Sequence, residues 1–218
     1  MPPEEHAGVD LIQPLPRGVN AASREVVADS QRGRIFEATK VLAAARGWPS
    51  LTISAIVREA GVSKPTFYEH FTDKQDCFVQ LVDRYWSDAL VEILERIAPG
   101  TTSDERIKRG VDAFLEYVAE DDGRARVMLI EPLKAGDGAT ARLAAAHDRI
   151  ADAYRQSREE VRAIDPRLPP ISQTRARAIV GAVNEPIYAA LREGDASRVL
   201  EMRDELQKVV HALAFATP

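Results

Sequence analysis

The sequence predicts an all-α protein, and three observations carry the prediction. From Arg24 onward apolar residues recur every three or four positions, the period of a helix with one buried face. Clusters of Pro, Gly and Asp cut that pattern into pieces of helical length. No alternating apolar–polar run of useful length and no internal repeat interrupts it.

Each element has its own reason. Residues 1–23 carry Pro2, Pro3, Pro14 and Pro16 with no periodic apolar pattern, which predicts a disordered tail. A first helix shows Ile35, Phe36, Thr39, Val41 and Leu42 on one face and ends near Gly47. Pro49 forces a break, and Thr52 caps a short helix over 53–60. Gly61 supplies a tight turn, and Ser63 caps the next helix, 64–70, whose first turn accepts Pro65 because its missing N–H costs nothing there. Asp73 caps a longer helix with Phe78, Leu81, Val82, Tyr85, Leu90, Ile93 and Leu94 on its apolar face, closed by Pro99-Gly100. Helices are then predicted over about 104–120, 124–131, 139–163, 172–193 and 198–215, separated by "DDG", "EPLKAGDG", "DPRLPP" and "EGDAS". Pro186 inside the fourth of these predicts a kink.

Composition bounds the function. With 45% hydrophobic and 29% charged residues over 218 positions, the chain can fill a core. Its single cysteine, Cys77, excludes an internal disulfide framework and a multi-cysteine metal site. It reads as structural, with redox sensing the alternative. His6, His70, His147 and His211 are too scattered for a metal centre, so no metal and no cofactor are expected. "AGDGAT" lacks the strand and the lysine of a phosphate loop and is a linker. No apolar run approaches membrane-spanning length, and the acidic, Pro-rich start is unlike a signal peptide. A soluble cytoplasmic protein with no membrane partner is expected. A net charge of −5 argues against a uniformly basic nucleic-acid coat but leaves room for one basic face.

With aromatics at only 6% of the chain, "AGVSKPTFYEHF" is unusual in concentrating two Phe, a Tyr and a His on a two-turn helix. Two short capped helices joined by "AGVS" form a helix-turn-helix, whose second helix enters the major groove by its N-terminal end. Ser63 and Thr66 are suited to phosphate, Lys64 to a guanine edge or a phosphate, and Pro65 to a thymine methyl. Tyr68 offers a phenol to phosphate and a ring to sugar or base, and His70 and Lys74 continue a phosphate row. For His70 the alternative is a cap on the helix end. Phe67 and Phe71 take the opposite side and pin the helix to the first and fourth helices.

The run "LTISAIVREAGVSKPTFYEHFTDKQDCFVQLV", Leu51 to Val82, resembles the DNA-binding signature of the tetracycline-repressor (TetR) family. The resemblance rests on the Thr opening the second helix, the "AGVS" turn, Phe-Tyr-x-His-Phe, and "DKQ" opening the fourth helix, and it extends from Arg24 through Val82. One position departs. Members often carry a charged or polar residue where this chain has Ala55, which leaves Ser54 and Arg58 as that helix's remaining candidates for DNA contact, beside its cap Thr52, itself expected at the DNA. Glu69 reads as solvent-facing. Arg17 or Arg24 in a minor groove is the alternative to a plain tail.

The resemblance implies a helix-turn-helix domain over 24–72, a connecting helix over 73–98, and a larger helical domain over 99–218 that dimerises and senses a ligand. The residues support dimerisation independently. Ile179, Val183, Ile187 and Leu191 form one stripe, with Ala176, Gly181 and Ala182 permitting close approach, and Met202, Leu206, Val209, Val210 and Leu213 form another. The alternative is that both stripes close the subunit's own core. Trp86, Phe114, Tyr117, Met128, Tyr154, Asn184 and Tyr188 are the candidates for an effector pocket, with ordinary core as their alternative. The expectation is a homodimeric transcriptional regulator, not an enzyme: a repressor released from a palindromic double-stranded operator by a small apolar or amphipathic effector. Its rivals are an activator or ligand-independent regulator on the same fold, and a helical enzyme or adaptor without DNA binding.

Overall fold

The computed structural model describes residues 17–194 and 196–216, with side chains from Glu25 on, and every regular element among them is helical. The order is α1 (Arg17–Arg46), a 3-10 turn (Trp48–Ser50), α2 (Ile53–Ala60), α3 (Lys64–His70), α4 (Lys74–Ile97), α5 (Ser103–Glu120) and α6 (Asp122–Leu129). A second 3-10 turn (Glu131–Lys134), α7 (Asp137–Ile164), α8 (Gln173–Glu193), a third 3-10 segment (Ala196–Met202) and α9 (Arg203–Phe215) complete it.

Side-chain caps set most of the boundaries. Thr52, Ser63, Asp73 and Ser172 each accept the backbone N–H three residues on, at 2.8–3.2 Å. Thr102 and Glu105 close a reciprocal capping box at the start of α5. α1 starts earlier than predicted: residues 17–23 belong to the helix and not to a tail, because no proline follows Pro16 to stop it. The rest of the predicted tail, residues 1–16, lies outside the described residues. The predicted last helix divides into the 3-10 segment and α9. Within the 3-10 segment Ala196 and Val199, three apart, both turn inward, as a three-residue period requires. α8 continues through Pro186 as one helix.

The three N-terminal helices pack on the first turns of α4, burying Ile35, Phe36, Ile56, Phe67, Phe71 and Phe78. The remaining helices pack around the rest of α4, chiefly α5 and α7 against it and α8 against α7 and α9. One continuous apolar core joins the two groups. Polar contacts reinforce the join. The buried Glu131 carboxylate accepts the Trp48 N–H at 2.6 Å and an ion pair from Lys134 at 2.8 Å. Lys40 on α1 pairs with Asp121 at the start of α6, at 2.7 Å.

Candidate nucleic-acid interface and the cavity behind it

The turn between α2 and α3 is built by its backbone. Gly61 sits at φ 61°, ψ 39°, the left-handed region that favours glycine. The Val62 N–H then returns to the Val57 carbonyl at 3.0 Å and closes the end of α2. Arg34 on α1 holds the turn from outside, its Nη1 donating to the Ala60 and Gly61 carbonyls at 3.2 Å each. Nothing in the sequence distinguished Arg34 from any exposed arginine, because its partners lie far along the chain. Phe67 and Phe71 are buried, 5.5 Å apart, with Phe71 5.3 Å from Phe36. That fixes the rotation of α3 and turns its opposite face outward.

On that outward face Lys64, Pro65, Tyr68 and Glu69 are exposed, and the Tyr68 ring is 56% accessible. Tyrosine is intermediate in its preference for burial, and here most of the residue is left to solvent. Thr52 and Ser54 are exposed at the start of α2, as is Arg58 further along it. The Thr52 hydroxyl accepts the Ala55 N–H as the α2 cap. Ser63 and Thr66 hydroxyls lie 2.9 Å apart, bonded to each other at the start of α3. Two residues of the expected phosphate row are engaged within the subunit. His70 Nε2 lies 3.3 Å from Gln31 Oε1 and is half-buried. The Lys74 ammonium donates to the Leu51 carbonyl at 2.8 Å and lies 4.6 Å from the centre of the Trp48 ring. Lys74 thus braces the entry to α2 instead of standing free in solvent.

Behind this unit α4, α5, α7 and α8 enclose a cavity of about 110 Å³. Its α4 wall runs from Trp86 to Ile97, about 17 Å at a helix's rise of 1.5 Å per residue. Of the residues expected to line a pocket, Trp86, Phe114, Tyr154 and Asn184 do. Tyr117, Met128 and Tyr188 do not. The Tyr117 hydroxyl donates to the Tyr85 carbonyl at 3.1 Å and its ring lies under Arg124, Met128 is core in α6, and Tyr188 lies beside Arg192. In each case helical spacing marks an inward or half-inward position without saying which interior it meets.

The two ends of the cavity differ. At one, Trp86 stacks on Phe114 at 5.7 Å and meets the edge of His147 at 5.2 Å. Asn184 lies 3.0 Å from His147 Nε2, and burial pushes the His147 pKa down. At the other end, where α4 turns into α5, the wall includes Ser103, Arg106, Tyr154, Ser157 and Arg158. Arg106 is paired with Glu160 at 2.7 Å. Sequence reasoning missed both arginines among the many on α5 and α7. A signal existed: Ala151, Tyr154, Arg158 and Val161 follow the three-four-three spacing of one inward helix face.

The two expected dimer stripes divide between the subunit's own core and its surface. Ile179, Val183, Ile187, Leu191, Leu206 and Val210 are buried within the subunit, at 9% exposure or less, and fill its own core. Met202, Val209 and Leu213 are half-buried. The outward face of α8 carries Ala178, Gly181, Glu185 and Ala189, and a side chain at Gly181 would meet nothing within 4 Å. Cys77 is fully buried, its Sγ 3.5 Å from Thr39 Oγ1, and burial pushes its thiol up to about 12. Among the described residues no cluster of His, Cys, Asp and Glu could hold a metal ion, and no helix is long and apolar enough to cross a membrane.

Comparison with known proteins agrees with this geometry. Residues 35–81 match the model for bacterial regulatory proteins of the tetR family. Over 113 residues the chain is 25% identical to the HTH-type transcriptional activator FasR of Mycolicibacterium smegmatis, covering 52% of each protein. The chain thus spans about half the length of that curated relative. Among solved structures, the transcriptional regulator FadR from Bacillus subtilis, in complex with stearoyl-CoA, superposes with a TM-score of 0.73 at 16% identity, over 85% of this chain and 98% of that one. A TetR-family regulator from Streptomyces coelicolor superposes with a TM-score of 0.66 at 17% identity, over 94% and 98%. At these identities the structural likeness shows the fold.

Proposed function

We propose that this chain, which belongs to the tetR family of bacterial regulatory proteins, acts as a homodimer that binds a two-fold DNA operator through α3 and is released from it by a small amphipathic ligand. The observation that carries the reading is the course of α4. Its first turn braces the helix-turn-helix through Lys74, and its later turns wall the cavity from Trp86 to Ile97. A ligand that favours one position of α4 therefore changes where α3 stands relative to its copy in the dimer. Such coupling requires only a few kcal/mol of differential affinity between the two states.

On the DNA, Lys64, Pro65 and Tyr68 meet base edges and backbone, while Thr52, Ser54, Ser63, Thr66 and His70 position the unit on phosphates. Lys74 contributes by holding the start of α2. The apolar walls suit a ligand with a hydrocarbon chain, and the stearoyl-CoA held by the Bacillus subtilis protein of the same fold supports that class. Repression follows if the operator overlaps a promoter. Activation is the second reading, favoured by the name of the Mycolicibacterium smegmatis relative.

The test is selection of bound sequences from a random duplex pool at moderate salt. A palindrome with half-sites about one helical turn apart is expected, with affinity that falls steeply as salt rises. A reporter driven by that palindrome then separates repression from activation by the sign of its response. No enriched sequence from a protein that is dimeric in solution would overturn the DNA-binding reading.

A further inference from the structure

The apolar cavity has a charged end that no described residue neutralises. Arg158 is 2% exposed and lies in the cavity wall. Its Nε donates to the Pro169 carbonyl at 3.0 Å, Nη1 to Ser103 Oγ at 3.3 Å, and Nη2 to the Ala214 carbonyl at 3.0 Å. The face of its guanidinium lies 4.9 Å from the Phe215 ring centre. All of these partners are neutral. Among the described residues no carboxylate lies within ion-pair distance of it, whereas Arg106 beside it is paired with Glu160. A guanidinium has five N–H donors, so two remain after the three bonds above. Tyr154 adds a second observation. Its hydroxyl is buried in the same wall, close to the Arg158 guanidinium but with no hydrogen bond of ordinary geometry to it or to any other described group. Burial raises its pKa, which keeps it a neutral O–H donor.

Burying a cation without a counter-charge is costly, and an anion that completes it recovers much of that cost. Here the guanidinium without a counter-charge and the Tyr154 hydroxyl stand at one end of an apolar space that reaches back to Trp86 and Phe114. We propose that the effector is an apolar monocarboxylate whose carboxylate is held between Arg158 and Tyr154 and whose hydrocarbon body runs along α4. This deepens the proposed effector site and rests on that reading. It also separates two kinds of acyl compound. A free acid presents an anion at the end of its chain, which the cavity meets with a guanidinium. An acyl thioester or methyl ester presents a neutral group there, leaving Arg158 as it was.

Calorimetric titration with decanoate and with methyl decanoate tests the proposal, alongside operator release by each. Native protein should bind the acid roughly tenfold or more tighter than the ester, the range of a hydrogen bond to a charged group. Arg158→Gln should abolish that preference while leaving ester binding in place, and Arg158→Lys should retain part of it. Tyr154→Phe, which keeps the ring, should narrow the preference several-fold and serves as the test should the arginine variants fail to fold. Equal binding of acid and ester by native protein overturns the carboxylate assignment and leaves the effector cavity standing. Binding of neither compound overturns both. A preference that survives in Arg158→Gln, or is unchanged in Tyr154→Phe, places the carboxylate elsewhere and overturns the assignment.

Discussion

Cys77 is a thiol with no route to chemistry in the folded state. It is fully buried against Thr39, and burial pushes its pKa up to about 12. The thiolate that reacts is therefore almost absent at neutral pH. Native protein should resist an aromatic disulfide reagent, with labelling that accelerates in urea in step with unfolding; rapid labelling without denaturant would restore a redox role. Two lysines near the proposed DNA-facing surface separate just as sharply. Lys64 is exposed on α3, and Lys74 is spent on Leu51 and Trp48. Lys64→Ala should leave the melting temperature unchanged and relax base preference in the selection experiment, by about 1–3 kcal/mol of discrimination. Lys74→Ala should lower the melting temperature and weaken every sequence alike, since it loses a cation–π contact of about 0.5–2 kcal/mol along with the bond to Leu51. Unchanged melting in Lys74→Ala would return that lysine to the phosphate row. The Lys64 position was legible from the spacing of "AGVSKPTFY". The Lys74 partners were not, because they come from a turn more than twenty residues earlier in the chain.

Elements were legible wherever a local signal ends them. Thr52, Ser63 and Asp73 cap helices where the sequence placed them, since a cap and its recipient N–H lie three residues apart. The 3-10 segment before α9 was not legible, since packing against other helices decides it, and the start of α1 was set too late although the proline-free run after Pro16 allows the helix to begin there. The inward face of α7 was half legible: its phase could be read, but not that it meets a cavity as well as core. That face also sets a pH dependence. Just above it His147 lies between Trp86 and Asn184, and burial lowers its pKa from 6.5. Below pH 6.5 the unfolded chain therefore takes up a proton that the folded chain declines, and stability falls as pH falls through that window. Melting temperature should drop between pH 7 and pH 5.5, before the carboxylates contribute below about pH 5. His147→Gln should flatten that part of the curve. An unchanged slope in the variant would mean that another group carries it.

At the scale of the whole molecule the question is what α8 and α9 have left to offer a second copy. Their large apolar residues were the obvious interface in the sequence, yet an amphipathic helix satisfies its own core first, and Ile179, Ile187, Leu191 and Leu206 are spent there. The outward stripe along the middle of α8 is small, Ala178, Gly181 and Ala189 with Glu185 among them, flanked by the exposed Thr174, Arg177 and Arg192. The half-buried Val209 and Leu213 of α9 remain available too. Small side chains let two helices approach closely, so this face, and not the large stripe, is where the proposed dimer should form. Gly181→Glu isolates the claim. The new side chain meets nothing in its own subunit, and replacing a glycine inside a helix gains about 0.5–1 kcal/mol of helix propensity. The subunit should therefore keep its helical circular dichroism. Across a close helix contact the same glutamate places a charge where none can be solvated. Light scattering should then report half the native mass. Operator binding should be lost with it, because one α3 alone cannot span two half-sites. A variant that stays dimeric with full operator affinity would move the interface off α8.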